Sequence, residues 1–580
     1  MKWVVAAAIV ALSLPASAAP IATRKPAAAG KRTDPKKLGA VARVNWGREL
    51  RPPAIAGARR QDPLTAEETT AAQLQKLLRG PFLRGGVTGI FVADAKTGEP
   101  LFAVNADDPL NVASNVKLIS TATAMELLGS TYRYPTRVLG PAATNGVVKG
   151  TVYLLGSHDP TLTVADLDEL ARTIAARGIT RIDGNLAMGS DPTRDGIYRA
   201  VVPITITAGE PDKPAIANLP AGFDLIEIRM FATTAHKAMR PRLTYKTEVT
   251  KTAAGDPHIV LTIGGVIGKD GKVDYPLWTK QRTATAAYAL LAALRAHNVT
   301  LTGSLKTMEL GDFVGDAVAT GALPVELGRH ESLQVGDIVA RINKWSINWL
   351  ADRLVMTAAG LAHRQAPSME LAVTSMYGWL DRHPHLARQN IVLDSGSGLS
   401  YRTQISVHEI VSVLRSAGGY TADTDSTTSR AWLHSLSVAG TDGTLRYRFR
   451  NTDIRGGKII GKTGTLHNVI ALSGILDLDP QRPLAFSIVT NTVSTLSKPV
   501  IRRAHEQLLG EICKYVARTT PPLTTIPAAP PPPPAPASVP DEPDVEDKPD
   551  KSSTHGRSEG EESIDKAVDK ALDSETADHQ

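Results

Sequence analysis

Apolar residues recur at helical spacing through TAEETTAAQLQKLLRG (65–80), with threonine and acids in the first turn, which predicts a helix. GIFVADAKTGEPLFAVN (89–105) then reads as strand, turn and strand, with KTGE as the turn. A second helix begins at once near Ser114, in SNVKLISTATAMELLG. At the far end, VIALSGILDL (469–478) and PLAFSIVTNT (483–492) predict two strands, and PVIRRAHEQLLGEICKYVA (499–517) predicts a closing helix. Strands at both ends of the folded part, with helices between, predict one sheet assembled from the two chain ends.

Between residues 136 and 325 the pattern changes to short alternating strands with turn signals, as in GVVKGTVYLLG, DGNLAMG and VTLTGSLKTMEL. This predicts a β-rich insertion. Helical patterns return over 330–390, and no internal repeat is found. From about Pro521 the chain becomes proline-rich, then acidic and free of aromatics, which predicts a stiff linker and a disordered tail. The expected division is therefore 1–18, a leader over 19–64, one domain from 65–135 and 326–518, the insertion at 136–325, and a tail over 519–580.

Composition refines this picture. A chain of 580 residues with 42% hydrophobic and 21% charged content should hold two or three ordinary globular units. MKWVVAAAIVALSLPASA has the charge, apolar run and small-residue ending of a secretory signal peptide, with cleavage expected after Ala18. No later stretch has the ~18 consecutive apolar residues of a membrane span. An exported, periplasmic or otherwise extracytoplasmic protein is expected. The single cysteine, Cys513, excludes an internal disulfide and fits core packing on the last helix. Charge is polarised: residues 19–60 carry eleven bases and two acids, residues 541–580 fourteen acids and five bases. The basic arm is expected either to attract anionic envelope polymers or membrane surfaces, or to be a solvated leader. No nucleic-acid partner is expected.

The chemistry-bearing patterns each have a decoy. Ser-x-x-Lys occurs at Ser114 with Lys117 and again at Ser563 with Lys566 in the tail. Lys-Thr-Gly occurs at 96–98, in the hairpin turn, and at 462–464. Ser-x-Asn occurs once, as Ser346-Ile347-Asn348 between two helical patterns. Ser114 alone reads equally as a helix cap. GGKIIGKT (456–463) satisfies a P-loop pattern, but the charged stretch before it and the strand-like one after it are the wrong context. HEIVS (408–412) has serine where a zinc-protease helix needs its second histidine, so no metal or cofactor is expected.

Taken in one order, Ser-x-x-Lys opening a helix, Ser-x-Asn at a helix junction and Lys-Thr-Gly leading into a strand form the trio of penicillin-binding proteins and serine β-lactamases. With HDPTLT (158–163), LDSGSGLSYRTQIS (393–406), VAGTDGTLRYRFR (438–450) and GKTGTL (461–466), the chain resembles the penicillin-binding protein 4 family of D-alanyl-D-alanine carboxypeptidases and endopeptidases, from about residue 66 to 515. The resemblance implies an α/β (α+β) penicillin-binding domain, serine β-lactamase-like, split by a large insertion between its first two motifs. The 232 residues from Ser114 to Ser346, against 116 from Ser346 to Lys462, fit that layout.

The resemblance further implies that Ser114 attacks the penultimate D-alanine carbonyl of a peptidoglycan stem peptide, or a β-lactam. Lys117 would take its proton, helped by burial and by the Lys462 cation. Ser346 would relay a proton to the departing amine and Asn348 would hold Lys117 and the substrate amide. Lys462, Thr463 and Thr465 would receive the terminal carboxylate, Gly464 would let the substrate backbone lie close, and the Ser114 and Thr465 N–H groups would form the oxyanion hole. The DSGSGLS loop is expected to be a wall of the cleft. Departures from the family pattern are Ile347, where a polar residue is usual, and Asp352, where glutamate is commoner. The rival expectations are a serine β-lactamase and a catalytically silent wall-binding protein on the same fold.

Overall fold

The computed structural model describes residues 66–519 apart from residues 190–195, 198–201, 220–225, 252–256, 278–281, 322, 384–390, 422–425, 453–456, 480 and 493–496. The expected signal peptide, the basic arm, the proline-rich acidic tail and the second Ser-x-x-Lys copy lie outside the described residues.

The first part comprises α1 (Ala66–Arg79), the hairpin β1 (Gly86–Asp94) and β2 (Pro100–Val104), and α2 (Val116–Leu128). After the insertion come α3 (Val335–Trp345), α4 (Asn348–His363), α5 (Met369–Arg382), α6 (Val407–Ala417), α7 (Ser426–Ser435), β3 (Ser437–Val438), β4 (Lys458–Thr465), β5 (Val469–Asp477), β6 (Leu484–Thr492) and α8 (Lys498–Thr519). The six strands form one sheet in the order β3-β4-β5-β6-β1-β2, each neighbouring pair antiparallel. The two chain ends meet where β1 pairs with β6 from Gly86 to Asp94.

Helices cover both faces. Side chains alternate across a strand, so Ile90 and Val92 pack with Leu472, Phe486, Leu508 and Cys513 beneath α1 and α8. Phe91 and Ala93 point the other way, into a core with Val116, Ile119, Ile338, Leu354 and Ile410. Double coverage explains why these strands read as continuous apolar runs. Helix α2 lies deepest, with every residue from Val116 to Met125 buried.

The insertion enters through the strand Pro135–Gly140 and leaves through Val325–Glu331, and the two pair antiparallel. Between them, among the described residues, lie short strands, many in the places expected, but also the helices Val164–Ala176, Arg282–Ala296 and Leu310–Ala319. The first helix was legible: Thr163 and Asp166 form a capping box, and Val164, Leu167, Leu170, Ala171 and Ile174 make one buried stripe. Among the described residues no helix is long and apolar enough to cross a membrane.

Beneath the sheet, His505 of α8 is fully buried, one ring nitrogen against Thr490 Oγ1 at 2.8 Å. Burial, and secondarily the Arg448 cation, push its pKa from 6.5 down to about 3. The unfolded chain therefore binds one more proton than the folded one between those values. Stability must fall as pH drops below about 6.5, by about 1.4 kcal/mol per pH unit from this group. In urea titrations, His505→Gln should lose about 2 kcal/mol less than the parent between pH 6.5 and 5. Parallel losses in the two proteins would contradict a neutral buried imidazole.

Candidate active site

Ser114 sits in a three-residue turn, Ala113–Asn115, that feeds directly into α2. Ala113 has φ 47°, a left-handed conformation costing a non-glycine residue about 1–2 kcal/mol. Its neighbours enforce it. The Ala113 N–H donates to Asn111 Oδ1 at 2.9 Å, and Asn111 exchanges hydrogen bonds with Asn491 of β6. On the other side of Ser114, buried Asn115 donates to Ser473 Oγ of β5 at 2.6 Å. Two asparagines thus fix the turn to the sheet, leaving Ser114 partly open among buried neighbours.

One turn on, Lys117 is fully buried. Its Nζ donates to Ser114 Oγ at 3.0 Å, to Ser397 O at 2.8 Å and to Asn348 Oδ1. The DSGSGLS loop, expected as a wall, therefore also supplies a backbone acceptor. Gly398 in that loop has φ 73°, and a Cβ there would stand 2.1 Å from Ala113 O.

Ser346 ends α3 with φ 61°, and Asn348 opens α4. Between them Ile347 is buried in the main core, so the apolar residue at the middle of the motif is a packing residue. Lys462, fully buried on β4, donates to Ser346 Oγ at 2.7 Å and to Thr463 O at 2.9 Å. Burial first, and then the neighbouring Lys117, hold the Lys462 ammonium well below the usual lysine range. Asp352 lies one turn along α4 from Asn348. Burial raises its carboxyl above the usual carboxylate value, against the opposing pull of Lys117 and of the Ser397 and Gly396 groups it faces.

On β4 side chains alternate. Gly464 lies on the Lys462 face, where a Cβ would be 2.7 Å from Val112 O and 3.2 Å from Ala113 Cβ. Its missing side chain thus lets the turn carrying Ser114 touch the strand. Thr463 Oγ1 donates to Thr444 Oγ1 at 2.9 Å, and Thr465 Oγ1 accepts from Arg502 Nη2 at 3.2 Å. Strand β3 covers the outer edge of β4 only as far as Gly461. The Leu466 N–H points inward to Val469 O, so the Thr465 N–H points outward, along an edge that no described strand covers.

The fold brings Ser114, Lys117 and Asn348 into one hydrogen-bonded group and Ser346 and Lys462 into a second, and the two meet where Lys117 acts electrostatically on Lys462. Arg502 had no sequence signal, whereas Ser397 and Gly398 stood in the DSGSGLS loop and Thr444 in the VAGTDGTLRYRFR stretch, both read from the sequence without these roles. The decoys separate structurally. Lys96-Thr97-Gly98 is a turn closed by N–H donation to Asp94 Oδ1. The Gly-Lys-Thr of the P-loop pattern runs along β4 into a hairpin with β5, with no helix opening there, while Gly456 lies outside the described residues. His408 packs on Phe91 and pairs with Asp107.

The sequence matches the D-Ala-D-Ala carboxypeptidase 3 (S13) family over residues 70–194 and 189–512. The chain belongs to this family. It is a hydrolase of the serine D-Ala-D-Ala peptidase type, acting on peptidoglycan. Among curated relatives, the D-alanyl-D-alanine carboxypeptidase of Actinomadura sp. strain R39 is 28% identical, covering 77% of this chain and 85% of that protein. The D-alanyl-D-alanine carboxypeptidase DacB of Haemophilus influenzae is 22% identical, covering 74% and 92%. The crystal structure of penicillin binding protein 4 from H. influenzae, complexed with a β-lactam, superposes with a TM-score of 0.55 at 20% identity, covering 76% of this chain and 99% of that one. This S13 chain thus has the mixed α/β penicillin-binding fold.

Proposed function

We propose that Ser114 is the nucleophile of a D-Ala-D-Ala carboxypeptidase and endopeptidase, and that Lys117 is the base that takes its proton. The observation carrying this is the 3.0 Å contact between Lys117 Nζ and Ser114 Oγ, with Asn348 and Ser397 holding Nζ on the hydroxyl. In the first step the Ser114 proton moves to the neutral Lys117 amine as Oγ bonds the penultimate D-alanine carbonyl. The developing oxyanion is met by the N–H groups of Ser114 and Thr465, a device worth about 3–4 kcal/mol where one donor has been removed. Collapse breaks the C–N bond, and the proton taken by Lys117 passes through the Ser346 hydroxyl, which Lys462 contacts, to the departing amine, so that Lys117 is neutral again. Water then attacks the acyl ester, Lys117 takes its proton, and that proton passes to Ser114 Oγ as the ester C–O bond breaks, which frees Ser114.

The substrate lies along the open edge of β4, with its terminal carboxylate beside Lys462, the two threonines and Arg502. Arrival of that anion places an opposite charge beside the Lys462 ammonium. The names of the Actinomadura and H. influenzae relatives support the carboxypeptidase reading, and the bound β-lactam of the latter supports acylation of this chain by β-lactams. Export by the first eighteen residues, and peripheral attraction of the basic arm to envelope polymers, belong to the same reading.

Ser346→Ala should slow acylation by about 10²-fold, the lower range for a lost proton-transfer group, as read from penicillin labelling rates. For the function itself, purified protein is digested with a stem pentapeptide ending in D-Ala-D-Ala and with a cross-linked dimer, and the products are weighed. The expected result is loss of one alanine from the first and two monomers from the second, neither with Ser114→Ala. Rapid penicillin turnover with neither peptide cut would contradict the reading in favour of a lactamase.

A further inference from the structure

Beside Ser346 the surface carries a stack that the reaction does not use. Trp345, the residue before Ser346, is 42% exposed and Tyr447 is 68% exposed. The Arg446 guanidinium lies 5.3 Å from the Trp345 ring centre and 4.8 Å from that of Tyr447, and Arg450 lies 4.9 Å from Tyr447. The order is therefore ring, cation, ring, cation. The basic stretch is not uniform, because Arg448 turns inward to a 2.6 Å ion pair with Glu506.

The stack is fixed to the site at both ends. Lys344 bonds Leu436 O and pairs with Asp442, while Ser437 Oγ donates to Lys344 O. Gly443 packs so closely that a Cβ would stand 2.5 Å from Lys344 O. Thr444, two residues before Arg446, is the hydroxyl bonded to Thr463. The ledge is thus continuous with the Ser346 and Lys462 side of the cleft.

Its chemistry selects an occupant. Guanidiniums lying on aromatic rings keep their planar forks oriented, so they lose less freedom on binding and suit bidentate carboxylates. Arg446 and Arg450 both lie against Tyr447, which sets two cations side by side at this surface. The position selects the side of the substrate, since Ser346 faces the departing amine in the proposed mechanism. In carboxypeptidase action that amine belongs to a single D-alanine. In endopeptidase action it belongs to a second stem peptide, an anionic chain with further free carboxylates.

We infer that Trp345, Arg446, Tyr447 and Arg450 form a subsite for carboxylates of the leaving stem peptide in cross-linked peptidoglycan. The inference rests on the peptidase reading above. The subsite acts on cross-links and leaves a lone departing D-alanine untouched, so it shifts the balance between the two activities toward endopeptidase action.

The test compares kcat/KM for a cross-linked muropeptide dimer and for an uncross-linked pentapeptide, in the parent and in Arg446→Gln. The dimer-to-pentapeptide ratio should fall about tenfold, the size of one lost charge-assisted contact. Arg446→Lys, which keeps the charge and loses the fork, should fall part-way, and Arg450→Gln guards against misfolding of the first variant. Amidating the dimer's leaving-strand carboxylates should lower the parent's ratio and abolish the difference between parent and variants. An unchanged ratio in folded Arg446→Gln and Arg450→Gln overturns the subsite while leaving the peptidase intact. A parent that cuts neither substrate overturns the peptidase reading, and the subsite with it.

Discussion

Lys117→Met lowers the rate of penicillin acylation by about three to four orders of magnitude, the upper range for loss of a positioned proton-transfer group. Ser114 Oγ has no other amine, imidazole or carboxylate among its described hydrogen-bond partners. Methionine fills a similar volume at a position with no exposure, so the packing of α2 is retained. The substitution leaves Ser397 O and Asn348 Oδ1 without their buried donor, which costs about 1–3 kcal/mol. It also removes the like charge that depresses Lys462. The variant should consequently stay folded, with its midpoint lowered, while stopped-flow labelling by a fluorescent penicillin nearly disappears. A loss below tenfold in a folded variant would mean that another group takes the Ser114 proton.

Gly398→Ala is expected to cost about 10²-fold in acylation although the atoms nearest its added carbon belong to Ala113 and Val116, because a displacement of about 1 Å at the reacting atoms suffices for that loss. Glycine is required here twice: φ is 73°, and the added carbon would stand 2.1 Å from Ala113 O and 2.8 Å from Ala113 C. Backbone cannot yield as a flexible side chain would, so the turn carrying Ser114 must move. The midpoint of thermal unfolding should fall as well. Gly311→Ala is the control, since a Cβ there has open space within a helix. It should be neutral or slightly stabilising, with full acylation. Equal acylation by both variants would show that the loop does not set the nucleophile's position.

The catalytic sheet and its helices were legible because periodicity is local. The alternation in GIFVADAKTGEPLFAVN and the apolar runs at 469–478 and 483–492 each announce a strand without knowledge of partners. The motifs were legible because their spacing is short: Ser114 and Lys117 need only one helical turn to meet. What sequence could not supply was the meeting of groups far apart in the chain. Ser397 reaches Lys117 through a carbonyl, which every residue possesses, and Arg502 comes to Thr465 from the last helix. Ile347 looked anomalous as one letter of a motif and becomes ordinary once the core behind it is seen. In the insertion, the helix Val164–Ala176 carries its own cap and apolar stripe but stands among stronger strand signals, which mask it in the sequence.

Placement of the bond that β-lactams form is the most direct measurement of the central claim. Purified protein is incubated with a penicillin, its intact mass is determined, and the adduct is located by peptide mapping. One adduct per chain is predicted, on the peptide carrying Ser114 and absent from Ser114→Ala. An adduct on Ser346, or on any residue other than Ser114, would contradict the account.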